Sequence, residues 1–362
     1  MTEVPVTSYF THWRHLPLGD REIIEGVVQP AHAGPSPELA AAIARWPGSH
    51  YWEESPAGRT LVLAAETHAP RERWWVHGIL LALTLLTMTV AGATFAGFPA
   101  EWHLPPIEML RTGMWFSLPL CAILAAHESG HYLVARHYRV NASPPYFLPC
   151  PPQYGLLGTL GAFIRLRSPV YDRRTLFDIG VAGPFAGIVV AIPILLLGLA
   201  RSATVTLTGL PFAHQIIDVA PYQLMLGDSL LLNLCRALVG SHGTIALSPL
   251  AIAGWTGLFI TCLNLLPLAQ LDGGHITYAL FGDAQPWIAR FFWLLLIPLG
   301  LLWPGWWLWA VLALIIGRGQ LGHPTIVSPE RSLSGGRQLL AWLSIALLVV
   351  TFAPVAIVVP GS

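Results

Sequence analysis

The sequence predicts an all-α polytopic membrane protein, and three observations carry that prediction. Of its 362 residues, 54% are hydrophobic and only 10% are charged, against about 25% charged in an ordinary soluble domain. The charges crowd toward one end: residues 1–73 hold nine of the 19 acidic and six of the 19 basic residues. Beyond them, apolar runs recur at about the 20 residues needed to cross a hydrocarbon core. The expected architecture is about 6–7 transmembrane helices, with a short membrane-associated β-hairpin and a small soluble N-terminal region.

Residues 1–73 mix polar and apolar positions and are expected to form a cytosolic region, with a helix around 37–45 and strands around 49–66. Their role is not readable from composition. The first long apolar run begins only near Trp74, so a cleaved signal peptide is not expected. Spans are predicted over 75–98, 114–138, 177–200, 249–270 and 338–359. The run 287–317 is broken by "WPGWW" and reads as two short helices around a turn at Pro304–Gly305. The segment 223–240 carries Asp228 and Arg236 and is expected to lie at the interface. The chain thus divides into an N-terminal region, 1–73, a membrane-embedded core, 74–285, and C-terminal transmembrane helices, 286–362.

Several function classes drop out. Cys121, Cys150, Cys235 and Cys262 show no C-x-x-C spacing and read as small apolar residues, neither a disulfide framework nor a metal knuckle. The net charge of zero gives no hint of nucleic acid. Arginine placement votes on sidedness. With the N-terminal region in the cytosol, the cytosolic flanks collect 12 arginines and the opposite side only Arg111, Arg201 and Arg236.

The chemistry sits in "LAAHESGHYLVARHY", 124–138. His127-Glu128-x-x-His131 is H-E-x-x-H, which puts both imidazoles on one helix face and a carboxylate beside them. The histidines can share one ion while Glu128 serves as general base. A chain with 14 histidines produces this pattern by chance about once in 60 such sequences, and then the histidines would simply be bonded to helix neighbours. Against that stands the setting, since a carboxylate within a span is costly and marks a functional site by default. His137, at the membrane edge, reads as an interfacial residue.

A catalytic zinc takes three protein ligands and keeps one position open. Asp272, in "NLLPLAQLDGGH", falls at the depth of His131 if the fourth span runs back toward the cytosol. There Pro267 breaks the helix and Gly273-Gly274 let the chain turn. His275 is the rival third ligand; Asp178 reads as a helix-start residue complementing the dipole. Asn264, polar within a span, either helps break the helix near Pro267 or donates to a substrate carbonyl. The stretch 158–166, "GTLGAFIRL", is too short to span and reads as a strand or hairpin dipping toward the site, with an edge that could pair with an unwound peptide. "AGPFAG", 182–187, reads as helix packing, and "WPGWWLW", 303–309, as an interfacial aromatic belt.

"HESGH" and "NLLPLAQLDGGH", together with residues 144–187 and "AGWTGLFITCLNLLP", 253–267, resemble in order and spacing the site-2 protease family of intramembrane zinc metalloproteases. The resemblance covers roughly 75–285 and favours the bacterial and chloroplast branch without a PDZ domain, since the connection 201–248 is too short for a folded domain of ordinary size. It implies one zinc per chain on His127, His131 and Asp272, with Glu128 activating water and Asn264 contacting substrate. It also implies a multi-pass protein, in a bacterial plasma membrane on this reading, that cleaves a single-span membrane-protein substrate within the lipid bilayer. Homo-oligomerisation stays open. The rivals are a catalytically silent metal-binding or transport protein, for which Glu128 would have no role, and a metallohydrolase acting on a lipid or small peptide.

Overall fold

The computed structural model describes residues 6–358 apart from 19–20, 56–57, 67–71, 98–106, 154, 168–169, 171, 206–214, 220–221, 324–325 and 327–331. The N-terminal region is a four-stranded antiparallel sheet in the order β1-β2-β4-β3, with strands Phe10–Leu18, Arg21–Val28, Ser49–Ser55 (β3) and Gly58–Glu66 (β4). Helix α1, Pro37–Ala44, starts where Ser36 accepts the Leu39 N–H and proline takes the first helical position. It packs Leu39 and Ile43 on Phe10, Val28, Leu61 and Leu63, while Val62 and Ala64 pack with Ile23 and Tyr51. Alternate residues of β4 thus serve two apolar clusters. The helix at 37–45 and strands over 49–66 were legible; β1 and β2 were not.

Three further helices follow: α2, Trp74–Thr94, α3, Ile107–His137, and α4, Arg173–Leu199. Between the last two lies a hairpin of β5, Tyr146–Pro149, and β6, Thr159–Phe163. Next come β7, Ala203–Thr204, β8, Gln215–Val219, β9, Tyr222–Leu226, α5, Leu230–Leu238, and β10, Ile245–Ala246. Helix α6, Pro249–Asn264, precedes α7, Asp272–Phe281, α8, Gln285–Leu302, α9, Gly305–Ile316, α10, Gly335–Thr351, and β11, Ile357–Val358. Strands β7 to β11 build one five-stranded sheet. The all-α expectation is therefore corrected: the molecule is mostly helical but carries three sheets among its described residues.

Among the described residues, four stretches are long and apolar enough to cross a membrane: α2, α3, α4 and Asp272–Leu302, which joins α7 to α8. Three apolar helices are shorter, α6, α9 and α10. The run 287–317 divides at Trp303–Pro304 as its sequence suggested. Large apolar side chains face outward along these helices, among them Trp75, Leu83, Trp115, Val189, Phe291 and Leu301, an arrangement suited to lipid and hazardous in water. Inside, Thr89 and Ser117 bond each other across α2 and α3 at 2.7 Å, so neither buried hydroxyl is orphaned.

The junction with the N-terminal region is polar. Glu72 pairs with Arg167 and, at 3.4 Å, with His77 Nε2. The His77 ring lies 4.1 Å from Tyr146 of β5. Another anchor holds the hairpin to α2: the Thr87 hydroxyl donates to the Gly158 carbonyl at 2.6 Å.

Burial, reinforced by the nearby Arg139 guanidinium, holds the His50 imidazole on β3 below its usual range. The folded domain resists a proton that the unfolded chain accepts, so this stability is present above the ordinary histidine value and is lost as pH falls through the lowered one. Hydrogen exchange in β3 and β4, corrected for intrinsic rates, is expected to quicken as pH falls below the ordinary histidine value of about 6.5. His50→Gln is expected to flatten that dependence.

Candidate metal centre

The site begins with how closely α3 and α4 approach. A methyl at Gly130 of α3 would strike the Ala182 carbonyl of α4, so glycine there lets the backbones nearly touch. His127 and His131 lie one turn apart on the α3 face that enters this seam. Both are buried, as is Glu128, at 4%, 6% and 5% exposure. Opposite them α4 presents Gly183 and Gly187, the small residues of "AGPFAG". A methyl at Gly183 would overlap Nε2 of His131, and one at Gly187 would lie 3.3 Å from Nδ1 of His127. Sequence patterning assigned this motif to packing alone. Its spacing was the available signal, but the spacing does not say that imidazoles occupy the room it makes.

His131 is aimed from behind. Its Nδ1 lies 2.7 Å from the Ile179 carbonyl of α4, so Nδ1–H donates and Nε2 is left with its lone pair. Asp178 itself does not begin the helix, which corrects the dipole reading. Asp172 caps α4 by accepting the Thr175 N–H at 2.8 Å. Asp178 instead receives the Arg337 Nη2 of α10 at 2.6 Å, with the Tyr138 hydroxyl on the same carboxylate.

The third element arrives through a sharp reversal. Helix α6 ends at Asn264, with Leu265 as its cap, and Asp272 opens α7. Between them Ala269 adopts φ 46°, a left-handed conformation costing a non-glycine residue roughly 1–2 kcal/mol. Its N–H donates to Leu321 O at 2.7 Å. Gly273 and Gly274 contribute by closeness: a methyl on either would collide with the carbonyls of Leu265 or Ala269. They sit inside α7 rather than forming the turn.

These elements converge on one point. His127 Nε2 lies 3.1 Å from His131 Nε2 and 3.1 Å from Asp272 Oδ2, and His131 Nε2 lies 3.2 Å from Asp272 Oδ1. Among the described residues, these three form the one group of such side chains able to share an ion. Ligands about 2.0–2.1 Å from a tetrahedral ion lie roughly 3.3 Å apart, close to the spacing between the two nitrogens and between each nitrogen and an Asp272 oxygen, so the three side chains suit a shared ion. Asn264 Nδ2 stands 3.2 Å from His127 Nε2. His275, the rival ligand, is turned away, its Nδ1 2.8 Å from His323 Nε2. Exposed His137 stays outside the cluster, edge-on to Tyr138.

Glu128 does not join the triangle. It lines a cavity of about 470 Å³ together with the cluster, Asn264, and Leu160, Ala162 and Phe163 of β6. Trp309 and Ile316 of α9 close another side, a contribution from the C-terminal helices that sequence reading missed. The cavity is large enough for a short extended peptide segment.

A mostly helical chain with lipid-compatible helices and an H-E-x-x-H triad completed by a distant aspartate defines a recognisable class of membrane protein. Within it, residues 115–291, just under half of the chain, match the model of Peptidase family M50. The probable zinc metalloprotease EGY1, chloroplastic, of Arabidopsis thaliana is 33% identical over 228 residues, which is 56% of this chain and 40% of that protein. The probable zinc metalloprotease EGY2, chloroplastic, of Oryza sativa subsp. indica is 28% identical over 225 residues, 61% of this chain and 38% of its own length. The corresponding EGY3 protein of the same plant is 30% identical over 192 residues, 48% of this chain and 31% of its own. The chain thus spans two fifths or less of these curated relatives. No solved structure matches it.

Because a methyl at Gly183 would occupy the position of His131 Nε2, Gly183→Ala is expected to abolish metal retention while leaving far-ultraviolet helix content near wild type. Elemental analysis beside circular dichroism checks both halves.

Proposed function

We propose that this chain is a zinc-dependent intramembrane endopeptidase acting on membrane-protein substrates. The observation that carries the reading is the convergence of His127, His131 and Asp272 on one point, beside a buried Glu128 that stands outside the cluster. The M50 domain and relatives described as zinc metalloproteases support zinc as the ion. His127 Nε2, His131 Nε2 and an Asp272 oxygen would hold it.

When bound, zinc supplies Lewis acidity to a water molecule and to the scissile carbonyl. Glu128 accepts the proton that the attacking water gives up and returns it to the leaving amine nitrogen. Asn264 presents its Nδ2 donor at the cavity wall, where the developing oxyanion would form. The Ile179 carbonyl keeps His131 in its ligating tautomer throughout. The hairpin deals with the substrate. A helical substrate hides its peptide bonds, and β6 offers an edge on which an unwound segment could pair, with Leu160 and Phe163 partly exposed along it. Irregular backbone at that depth is tolerated only when sheltered by protein or facing water, and the cavity supplies such shelter.

The same reading places the N-terminal region, 1–73, and the mouth of the site on the cytosolic side of a bacterial plasma membrane, supported by the arginine asymmetry. The core is 74–285 and the C-terminal helices are 286–362. Helices α6, α9 and α10 bring the crossings to the expected number. The substrate is a single-span membrane protein. A transport protein would use the cluster but not Glu128, and so accounts for less of the site.

The test is zinc content and cleavage of a model single-span substrate by detergent-purified wild type, Glu128→Gln and Asp272→Ala. Wild type is expected to hold one zinc and to cut within or beside the transmembrane segment. Glu128→Gln is expected to keep the zinc and lose about 10²–10⁴-fold in rate, and Asp272→Ala to lose both. Metal-free wild type under metal-replete conditions, or full activity in Glu128→Gln, overturns the proposal.

A further inference from the structure

We propose that His323 is a positioning residue for Asp272, and that the segment 317–323 acts as a brace on the metal centre; this rests on the metal-binding reading above. His323 lies outside the segment 115–291 that matches the family, so the M50 match does not account for it.

Asp272 stands at the first turn of α7, after a loop containing a strained residue, with nothing covalent beyond that turn to hold its carboxylate against His127 and His131. The contacts that fix this turn come from two sides. On one, His275 is wedged against α4, where a methyl on Gly180 would come within 2.9 Å of the His275 Cβ. On the other lies the segment following α9. His323 Nε2 is 2.8 Å from His275 Nδ1, and the His323 ring stacks on Tyr278 of α7, centroids 4.8 Å apart at 28°. The His323 backbone N–H donates to Gln285 Oε1 at 2.8 Å, and Gln285 Nε2 donates to the Pro267 carbonyl at 3.4 Å. Two residues earlier, Leu321 O accepts the N–H of Ala269.

These contacts land on α7, on the loop that leads into it, and on Gln285 at the start of α8, whose side chain in turn reaches that loop. One segment thus holds the left-handed turn at Ala269, the proline that ends the preceding stretch, and the helix that begins with the ligand. Ligand sets tolerate displacement of only about 0.5 Å, so the side chain that pins His275 controls whether Asp272 completes the triangle.

Two substitutions separate the parts. His323→Phe keeps a ring to stack on Tyr278 but loses the bond to His275, while His323→Gln can keep the bond and loses the stack. Both are compared with wild type by zinc retention against graded chelator, by the d–d spectrum of the cobalt(II)-loaded protein, and by circular dichroism. His323→Phe is expected to release zinc about 10- to 100-fold more readily and to show a shifted cobalt spectrum at unchanged helix content, and His323→Gln to restore both toward wild type. Wild-type retention and spectrum in His323→Phe overturn the positioning role while leaving the metal centre standing. Wild type that binds no metal overturns both.

Discussion

Two imidazole nitrogens 3.1 Å apart, each within 3.2 Å of an oxygen of one carboxylate, in a helical interior, are the constraint from which the rest of this molecule follows. Two imidazole nitrogens and a carboxylate oxygen repel unless a cation or shared protons lie between them, and burial strengthens that repulsion. Bringing them together requires α3 and α4 to approach to backbone contact, hence glycine at 130 and 183. It also requires the chain after α6 to reverse within a few residues. Helix α6 has 16 residues, roughly 24 Å, a crossing kept just shorter than the usual length. Had it continued, Asp272 would have been carried past the depth of His131; its early stop at Asn264 is what the site demands of the bundle.

Much of this was legible because the chemistry is written locally. H-E-x-x-H needs only helical periodicity to place two histidines on one face, and the apolar runs of α2, α3 and α4 need only their length. Asp272 was legible for a different reason, since few acidic residues occur in the later spans and this one followed a proline. Asp178 was misread because its partner, Arg337, is 159 residues away, and no local pattern announces such a pair. Gly183 and His323 were invisible as contributors to the site for the same reason: each matters through what another element places against it.

Strands β1, β2 and β7 to β11 escaped notice on other grounds, unlike those over 49–66 and the hairpin. Strands β7 and β10 are two residues each, too short to show alternation, and exist because neighbours at the same end of the bundle complete their hydrogen bonds. In the N-terminal sheet β4 is buried on both faces and so reads as a continuous apolar run, while β1, FTHWRHLPL, has four polar residues among nine in no alternating pattern. The site nevertheless survives these omissions, because none of those strands supplies a residue to it.

Glu72 has a practical corollary. Composition divides the chain near residue 73, and a biochemist wishing to study the helical core alone would place the scissors there. Yet the Glu72 carboxylate is shared by Arg167, just beyond the hairpin, and by His77, whose ring packs on β5. A cut at the visible seam would strip a guanidinium and an imidazole of their common anion, directly beneath the strand that walls the cavity. Dissecting this protein without disturbing the metal-site cavity means cutting before Glu72, so that the last acidic residue before α2 travels with the core.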